Sequence, residues 1–162
     1  MHETERVSHV VVRNLRPADL DAVIALDAKN VGRRRDDYFR VKLQQNLAET
    51  GIKVSLAAEV DGAFAGFLLA RVYYGEFGQT EPVAVLDTID VNPAFRGQGV
   101  GNALLEQLRT NLAGLGVGCL RTEVGWDELP LIGFFQHAGF HPAARLCLDL
   151  DLTGPRSERA DG

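Results

Sequence analysis

The run Arg96-Gly97-Gln98-Gly99-Val100-Gly101 sits where the hydrophobic pattern of the chain changes period. Before it, Val83-Ala84-Val85-Leu86-Asp87-Thr88-Ile89-Asp90-Val91 is rich in β-branched residues and bounded by Pro82 and Pro93, the pattern of a buried strand. After it, Val100, Ala103, Leu104, Leu105, Leu108, Leu112 and Leu115 recur at helical spacing, giving a helix with one apolar face. Glycine in the first turn of a helix costs roughly 1 kcal/mol relative to alanine. Three glycines there imply that something approaches the backbone closely. A helix start offers unpaired N–H groups and a partial positive charge, so the fitting guest is a phosphate or pyrophosphate.

Two familiar phosphate loops do not fit. A Walker loop needs Lys and then Ser or Thr after its last glycine, where this chain has Asn102 and Ala103. A dinucleotide turn needs a third glycine where Asn102 stands, and Asn92-Pro93-Ala94-Phe95-Arg96 is too long for its tight turn. A glycine-rich helix start without a ligand explains one glycine but not three beside an arginine.

The run from Ile89 to Leu105 resembles the acyl-CoA-binding motif of the GNAT superfamily of N-acetyltransferases: an apolar strand, V-x-P-x-x-R, then (R/Q)-x-x-G-x-(G/A), then a helix. A second stretch, Leu131-Ile132-Gly133-Phe134-Phe135-Gln136-His137-Ala138-Gly139-Phe140, resembles the family's helix ending in (F/Y)-Y-x-x-x-G-F. With both stretches at the family's spacing, the resemblance covers roughly residues 10–150. The resemblance implies acetyl-CoA as cosubstrate and an amine as acceptor. It also implies a splay after the motif strand into which the pantetheine arm inserts, and a family that often dimerises.

Composition sets outer bounds. At 162 residues the chain suits one domain, expected over residues 1–152 with a polar, frayed tail at 153–162. Apolar content of 46% and charged content of 24% are ordinary for a soluble globular protein. A net charge of −5 argues against a nucleic-acid partner and suits a cationic one. No apolar run reaches membrane-spanning length and residues 1–6 lack a basic leader, so a cytoplasmic protein without a membrane partner is expected. Cys119 and Cys147 lie in apolar, strand-like settings without metal-ligand spacing and read as buried free thiols. His137 and His141 are separated by Gly139, which ends the helix between them, and no metal site is expected.

The pattern predicts a strand at 10–12, a helix opened by Pro17, a second helix at 36–49, and strands at 54–60 and 64–74 about an Asp61-Gly62 hairpin turn. The motif strand and helix follow, then a strand at 119–124, a helix at 129–137 and an extended final segment at 140–152. The order β-α-α-β-β-β-α-β-α-β is a mixed α/β layout of about six mostly antiparallel strands and about four helices. It is also the GNAT topology.

Acetyl transfer requires an amine that loses a proton, a stabilised thioester oxygen and a thiolate that departs. The resemblance gives Arg96, Gly97, Gln98, Gly99, Val100, Gly101 and Asn102 to the pyrophosphate, and the main chain of Ile89, Asp90 and Val91 to the pantetheine. For the base it points to Glu123, twelve positions before Phe135, as in ribosomal-protein alanine acetyltransferases. Asp87 and Asp90 are rivals on the motif strand. Strict alternation groups Asp87 with Val85, Ile89 and Val91, and Asp90 with Leu86 and Thr88, on the opposite face.

The resemblance puts Phe135 where many relatives carry a tyrosine that serves as acid toward the thiolate, and phenylalanine donates no proton. Tyr74 and Glu76, in the loop leading to the motif strand, are substitutes, with Tyr38 behind them. A catalytically silent acyl-CoA-binding module is the alternative that Phe135 favours. Arg33-Arg34-Arg35 reads as a solvated helix start, Trp126 as a wall of the acceptor cleft or a cap on the core, and Glu128 replaces an asparagine that often touches the cofactor in the family.

Overall fold

A computed structural model describes residues 9–48 and 53–154. Residues 1–6, the basis for expecting no leader, and most of the expected tail lie outside the described residues. Five strands, β1 (Val10–Asn14), β2 (Leu56–Val60), β3 (Ala63–Tyr73), β4 (Val83–Val91) and β5 (Leu120–Thr122), form one sheet in sequence order. The first three pairings are antiparallel and β4 with β5 is parallel. Helices α1 (Leu20–Val31) and α2 (Asp36–Ala48) cover one face; α3 (Val100–Gly114) and α4 (Leu129–His137) cover the other. Among the described residues no helix is long and apolar enough to cross a membrane.

Two apolar clusters follow from strand alternation. Ala57, Phe67 and Leu69 meet Val23, Ile24 and Leu26 of α1 and Phe39 and Leu43 of α2. Leu56, Ala58, Leu68, Ala70, Ala84 and Leu86 meet Val100, Leu104, Leu108 and Leu112 of α3. The hairpin turn takes the left-handed geometry its residues favour, with φ of 49° at Asp61 and 81° at Gly62. Gly66 lets α3 begin directly over the sheet. A Cβ there would lie 2.8 Å from the Asp90 carbonyl oxygen and 2.9 Å from Val100 Cγ1.

Alternation fails within β4. The pairing with β3 passes from Leu69–Thr88 to Ala70–Leu86, leaving Asp87 as an extra residue in a β-bulge. The bulge inverts the phase, so Ile89 and Val91 join the α3 cluster with Ala84 and Leu86. Asp87 and Asp90 therefore face the same helices, α2 and α1 respectively, rather than opposite sides.

The expected sixth strand is absent. Residues 140–152 carry no strand, and every residue from 141 to 152 is exposed. Phe140 alone packs back, its ring centroid 4.9 Å from that of Phe135. The alternation Leu146, Leu148, Leu150, Leu152 is a strand's, but a strand needs an edge to pair with, and this segment meets none. Cys147 lies in it and Cys119 precedes β5; both are exposed rather than buried.

Candidate active site

β4 and β5 pair at three positions only, Ala84–Leu120, Val85–Arg121 and Leu86–Thr122. At the last, Thr122 Oγ1 donates to the Leu86 carbonyl at 2.9 Å. β4 then runs on to Val91 with no strand on that side among the described residues, and Leu131 and Phe134 of α4 stand across the gap. A small cavity of about 150 Å³ lies there, lined by Ile89, Val91, Gly101, Leu131 and Phe134. Over residues 88–91 the β4 edge that faces away from β3 meets no strand among the described residues, so its outward N–H and C=O groups can pair with an extended ligand.

This row leads into the glycine turn. Asn92 Oδ1 accepts from the Ala94 N–H at 3.1 Å and shapes the approach. Gly97 and Gly99 have φ of 76° and 77°, and a Cβ at either would meet nothing within 4 Å. Their left-handed backbone, not crowding, is what requires glycine. Gly101 has a different cause: a Cβ there would lie 3.1 Å from the Phe134 ring, so this glycine admits α4 against α3. Gly99 is the cap of α3 and no side chain satisfies that end. The N–H groups of Val100, Gly101 and Asn102, lacking intrahelical partners, are left for an anion. Arg96, Gly97, Gln98, Gly99 and Asn102 are all exposed around it. The arrangement fits a pyrophosphate attached to an extended arm.

On the α1–α2 side of the sheet, where β4 and β5 part, opens a hollow of about 580 Å³. Glu123, Arg121, Asp87, Glu76, Glu81, Tyr73 and Phe77 line it. Alternation along β5 explains the pair: Leu120 and Val124 pack on the α3 cluster, which turns Arg121 and Glu123 to this face. Asp87 is engaged by Arg71 Nε at 3.1 Å and Lys42 Nζ at 3.9 Å. The exposed Glu123 has no recorded ion pair among the described residues, and neither has Arg121. Phe77, 89% exposed, holds a left-handed φ of 51° at the rim, a conformation rare for a bulky residue.

Tyr74 is 76% exposed and does not line the hollow; its neighbour Tyr73 does. Tyr73 shares strand parity with Arg71, whereas Tyr74 lies one residue past the end of β3. Burial pushes the Tyr73 phenol above its ordinary value. Phe135 is only 5% exposed, among Phe134 and Phe140. Tyr38 lies on α2 under the Arg35 guanidinium, 5.0 Å from its ring centroid. Trp126 is 96% exposed and caps nothing, and Glu128 Oε2 accepts from the Gly125 N–H at 2.6 Å.

Asp90 faces α1. Asn30 Nδ2 donates to its Oδ1 at 3.2 Å and to the Val91 carbonyl at 3.1 Å, which fastens the end of β4. Burial first, and then the neighbouring Asp27 carboxylate, push the Asp90 carboxyl up to about 6. Arg35 reaches across to Asp27 through two bonds of 2.6 and 2.9 Å, so it is an anchor rather than part of a solvated helix start. Among the described residues no group of three or more His, Cys, Asp or Glu could hold a metal ion.

The sheet, the gap beside β4 and the uncapped helix coincide with a family pattern: the model of the acetyltransferase (GNAT) family matches residues 21–140. The chain belongs to the GNAT acetyltransferase family. Among solved structures it is similar to the aminoglycoside N-acetyltransferase AAC(6′)-Iy in complex with CoA, at 22% identity and a TM-score of 0.75, over 92% of this chain and 99% of that one. A ribosomal-protein-alanine N-acetyltransferase from Brucella melitensis biovar Abortus 2308 is similar at 22% identity, TM-score 0.72, over 88% and 99% of the two chains. A transcriptional regulator from Bacillus halodurans C-125 is similar at 17% identity, TM-score 0.74, over 88% and 99%. At these identities the shared fold is what the likenesses carry; the names of the relatives' acceptors remain theirs.

Proposed function

We propose that this GNAT protein is an acetyl-CoA-dependent N-acetyltransferase acting on a primary amine of a small molecule or peptide. The observation that carries the reading is one strand serving two openings. β4 lines the acidic hollow at Val85 and Asp87, then runs bare-edged from residue 88 to the uncapped start of α3. The acetyl thioester supplies the acyl group. The chain's own part begins with the α3 amides and the Gln98–Asn102 turn, which bind pyrophosphate. The main chain of Ile89, Asp90 and Val91 orients the arm, which delivers the thioester to the point where β4 and β5 part.

Acid–base work falls to the hollow. Its lining holds the carboxylates of Glu76, Glu81, Asp87 and Glu123 against the single guanidinium of Arg121, so it attracts an acceptor arriving as an ammonium. Glu123 is the base in this reading, because the Asp87 carboxylate is already held by Arg71 and Lys42. In this reading Tyr73, which lines the hollow, takes the role expected of Tyr74 and serves the departing thiolate.

The experiment is thiol release from acetyl-CoA across a panel of amines and peptides, beside calorimetric titration of acetyl-CoA. Acceptor-dependent release is expected to fall at least a hundredfold in Glu123→Gln with cofactor affinity kept, and to change less than tenfold in Asp87→Asn. The buried, hydroxyl-free Phe135 favours a second reading, a silent acyl-CoA-binding module. Binding without release for any acceptor would establish that module instead, and no binding would overturn both.

A further inference from the structure

The charges of the hollow are laid out in rows across the sheet. The pairings Arg71–Val85 and Val85–Arg121 set two arginines on either side of one small residue, three strands abreast. All three take the α1–α2 face: Val85 and Arg121 line the hollow, and Arg71 Nε donates to Asp87 Oδ2 there at 3.1 Å. The next row toward the gap is acidic, with Asp87 on β4 and Glu123 two residues past Arg121. Two residues of strand span about 7 Å, so a cationic row stands that far from an acidic one on the floor of one cavity.

The two arginines differ in what holds them. Arg71 is engaged by Asp87 and by the Tyr73 ring, over which its guanidinium lies at 5.1 Å. Arg121 makes no ion pair among the described residues, although Glu76, Glu81, Asp87 and Glu123 share its cavity. Asp87 is attended by Arg71 and Lys42, and Glu76 and Glu81 stand exposed on the loop before β4, where solvent screens them. A guanidinium carries a planar fork of donors that matches a carboxylate, and a half-buried one with no carboxylate of its own is suited to reading one on a ligand.

We propose that Arg121 holds a carboxylate of the acceptor, and that the acceptor is an α-amino acid or a small molecule whose reacting amine stands beside a carboxylate. This rests on the acetyltransferase reading above and narrows its amine to one class. The rows also set the orientation. The acidic row lies where β4 and β5 part and the thioester arrives, so the ammonium is drawn to Glu123, and the carboxylate trails one row back onto Arg121. About 7 Å between rows suits an ammonium and a carboxylate on adjoining carbons, with a charge-assisted hydrogen bond of about 2.8 Å at each end. The amine nitrogen bonds the acetyl carbon as the carbon–sulfur bond breaks. Of the two protons the ammonium sheds, one leaves through Glu123 and one goes to the thiolate. A peptide N-terminus offers an amide where the carboxylate would be, and a simple amine offers nothing; neither satisfies the guanidinium.

The test measures thiol release by the full chain with the common α-amino acids, their α-amides, the matching decarboxylated amines and simple diamines. It compares wild type, Arg121→Ala and Arg121→Lys, beside calorimetric titration of acetyl-CoA. The wild type is expected to favour a free amino acid over its amide about a hundredfold in kcat/KM. In Arg121→Ala that ratio is expected to fall below about five, chiefly through KM and with acetyl-CoA affinity kept, and Arg121→Lys to recover part of it. A loss that strikes amino acid and amide alike is a general disturbance of the strand and overturns the role of Arg121. Amides, simple amines or diamines preferred over amino acids overturn the proposal and leave the acetyltransferase reading standing. Bound acetyl-CoA with no release to any acceptor overturns both and establishes the silent module.

Discussion

Thr122 Oγ1 donates to the Leu86 carbonyl at 2.9 Å, at the last position where β4 and β5 are still paired. The bond closes the apex of the gap and fixes where the strands begin to part. Thr122→Val keeps the shape and removes the donor. It is expected to lower stability by about 1 kcal/mol and to raise the KM for acetyl-CoA severalfold. Chemical denaturation and thiol-release kinetics check the two effects separately.

Gly99→Asp sets a carboxylate at the uncapped start of α3. With no atom within 4 Å of the added Cβ, the fold bears only the strain of a left-handed φ of 77°, about 1 kcal/mol. Acetyl-CoA affinity is expected to fall beyond calorimetric detection while the melting curve shifts by a few degrees. Retained affinity would mean that the pyrophosphate sits elsewhere.

Gly66→Ala tests how closely α3 is laid over the sheet. The added carbon has to displace the Asp90 carbonyl, which is backbone and paired, or the Val100 side chain. A loss of about 3 kcal/mol is expected by the overpacking rule. Gly101→Ala crowds the Phe134 ring at 3.1 Å and touches Val91 at an ordinary 3.7 Å, and is expected to cost less than half of that. A reversed order of melting temperatures would refute the packing argument.

Asp90 makes stability depend on pH. Its folded carboxyl titrates at about 6 against 3.8 for a free one, so between these values the folded state holds the extra proton. Stability therefore falls as pH rises from about 4 to about 6, and the penalty is complete above that window. Asp90→Asn is expected to be more stable than the wild type at pH 7, by about 1–2 kcal/mol after allowance for its partial exposure, and to lose that slope. Parallel denaturation curves for the two proteins at pH 4 and 7 decide it.

Phe135→Tyr adds a hydroxyl to a ring that is only 5% exposed and packs against Phe134 and Phe140. Stability is expected to drop by about 1–2 kcal/mol, with kcat unchanged. A rise in kcat would show that the ring edge reaches the reacting sulfur.

Much of this was legible because each signal is local. A β-branched run, three glycines and a leucine period place β4, the turn and α3 in order, and Asp61-Gly62 announces its hairpin. What escaped was relational. The bulge at Asp87 depends on how β4 lies against β3, so alternation within β4 alone put Asp87 and Asp90 on opposite faces. Gly101 looked like a ligand's contact because Phe134, thirty-three positions on, was not visible as its neighbour. The leucine alternation at 146–152 has a strand's period but carries no address for a partner, and the segment forms no strand. Arg121, Glu81 and Phe77 join the hollow from separate segments, which no spacing rule connects.

The extra residue in β4 has a wider meaning for how such a protein can change. By resetting the phase mid-strand, it lets Val83 and Val85 be varied to suit a new acceptor while Ile89 and Val91 keep their seats under α3. Specificity and cofactor handling thus occupy one continuous segment yet can drift apart independently, as two dials set on a single shaft with a coupling that slips.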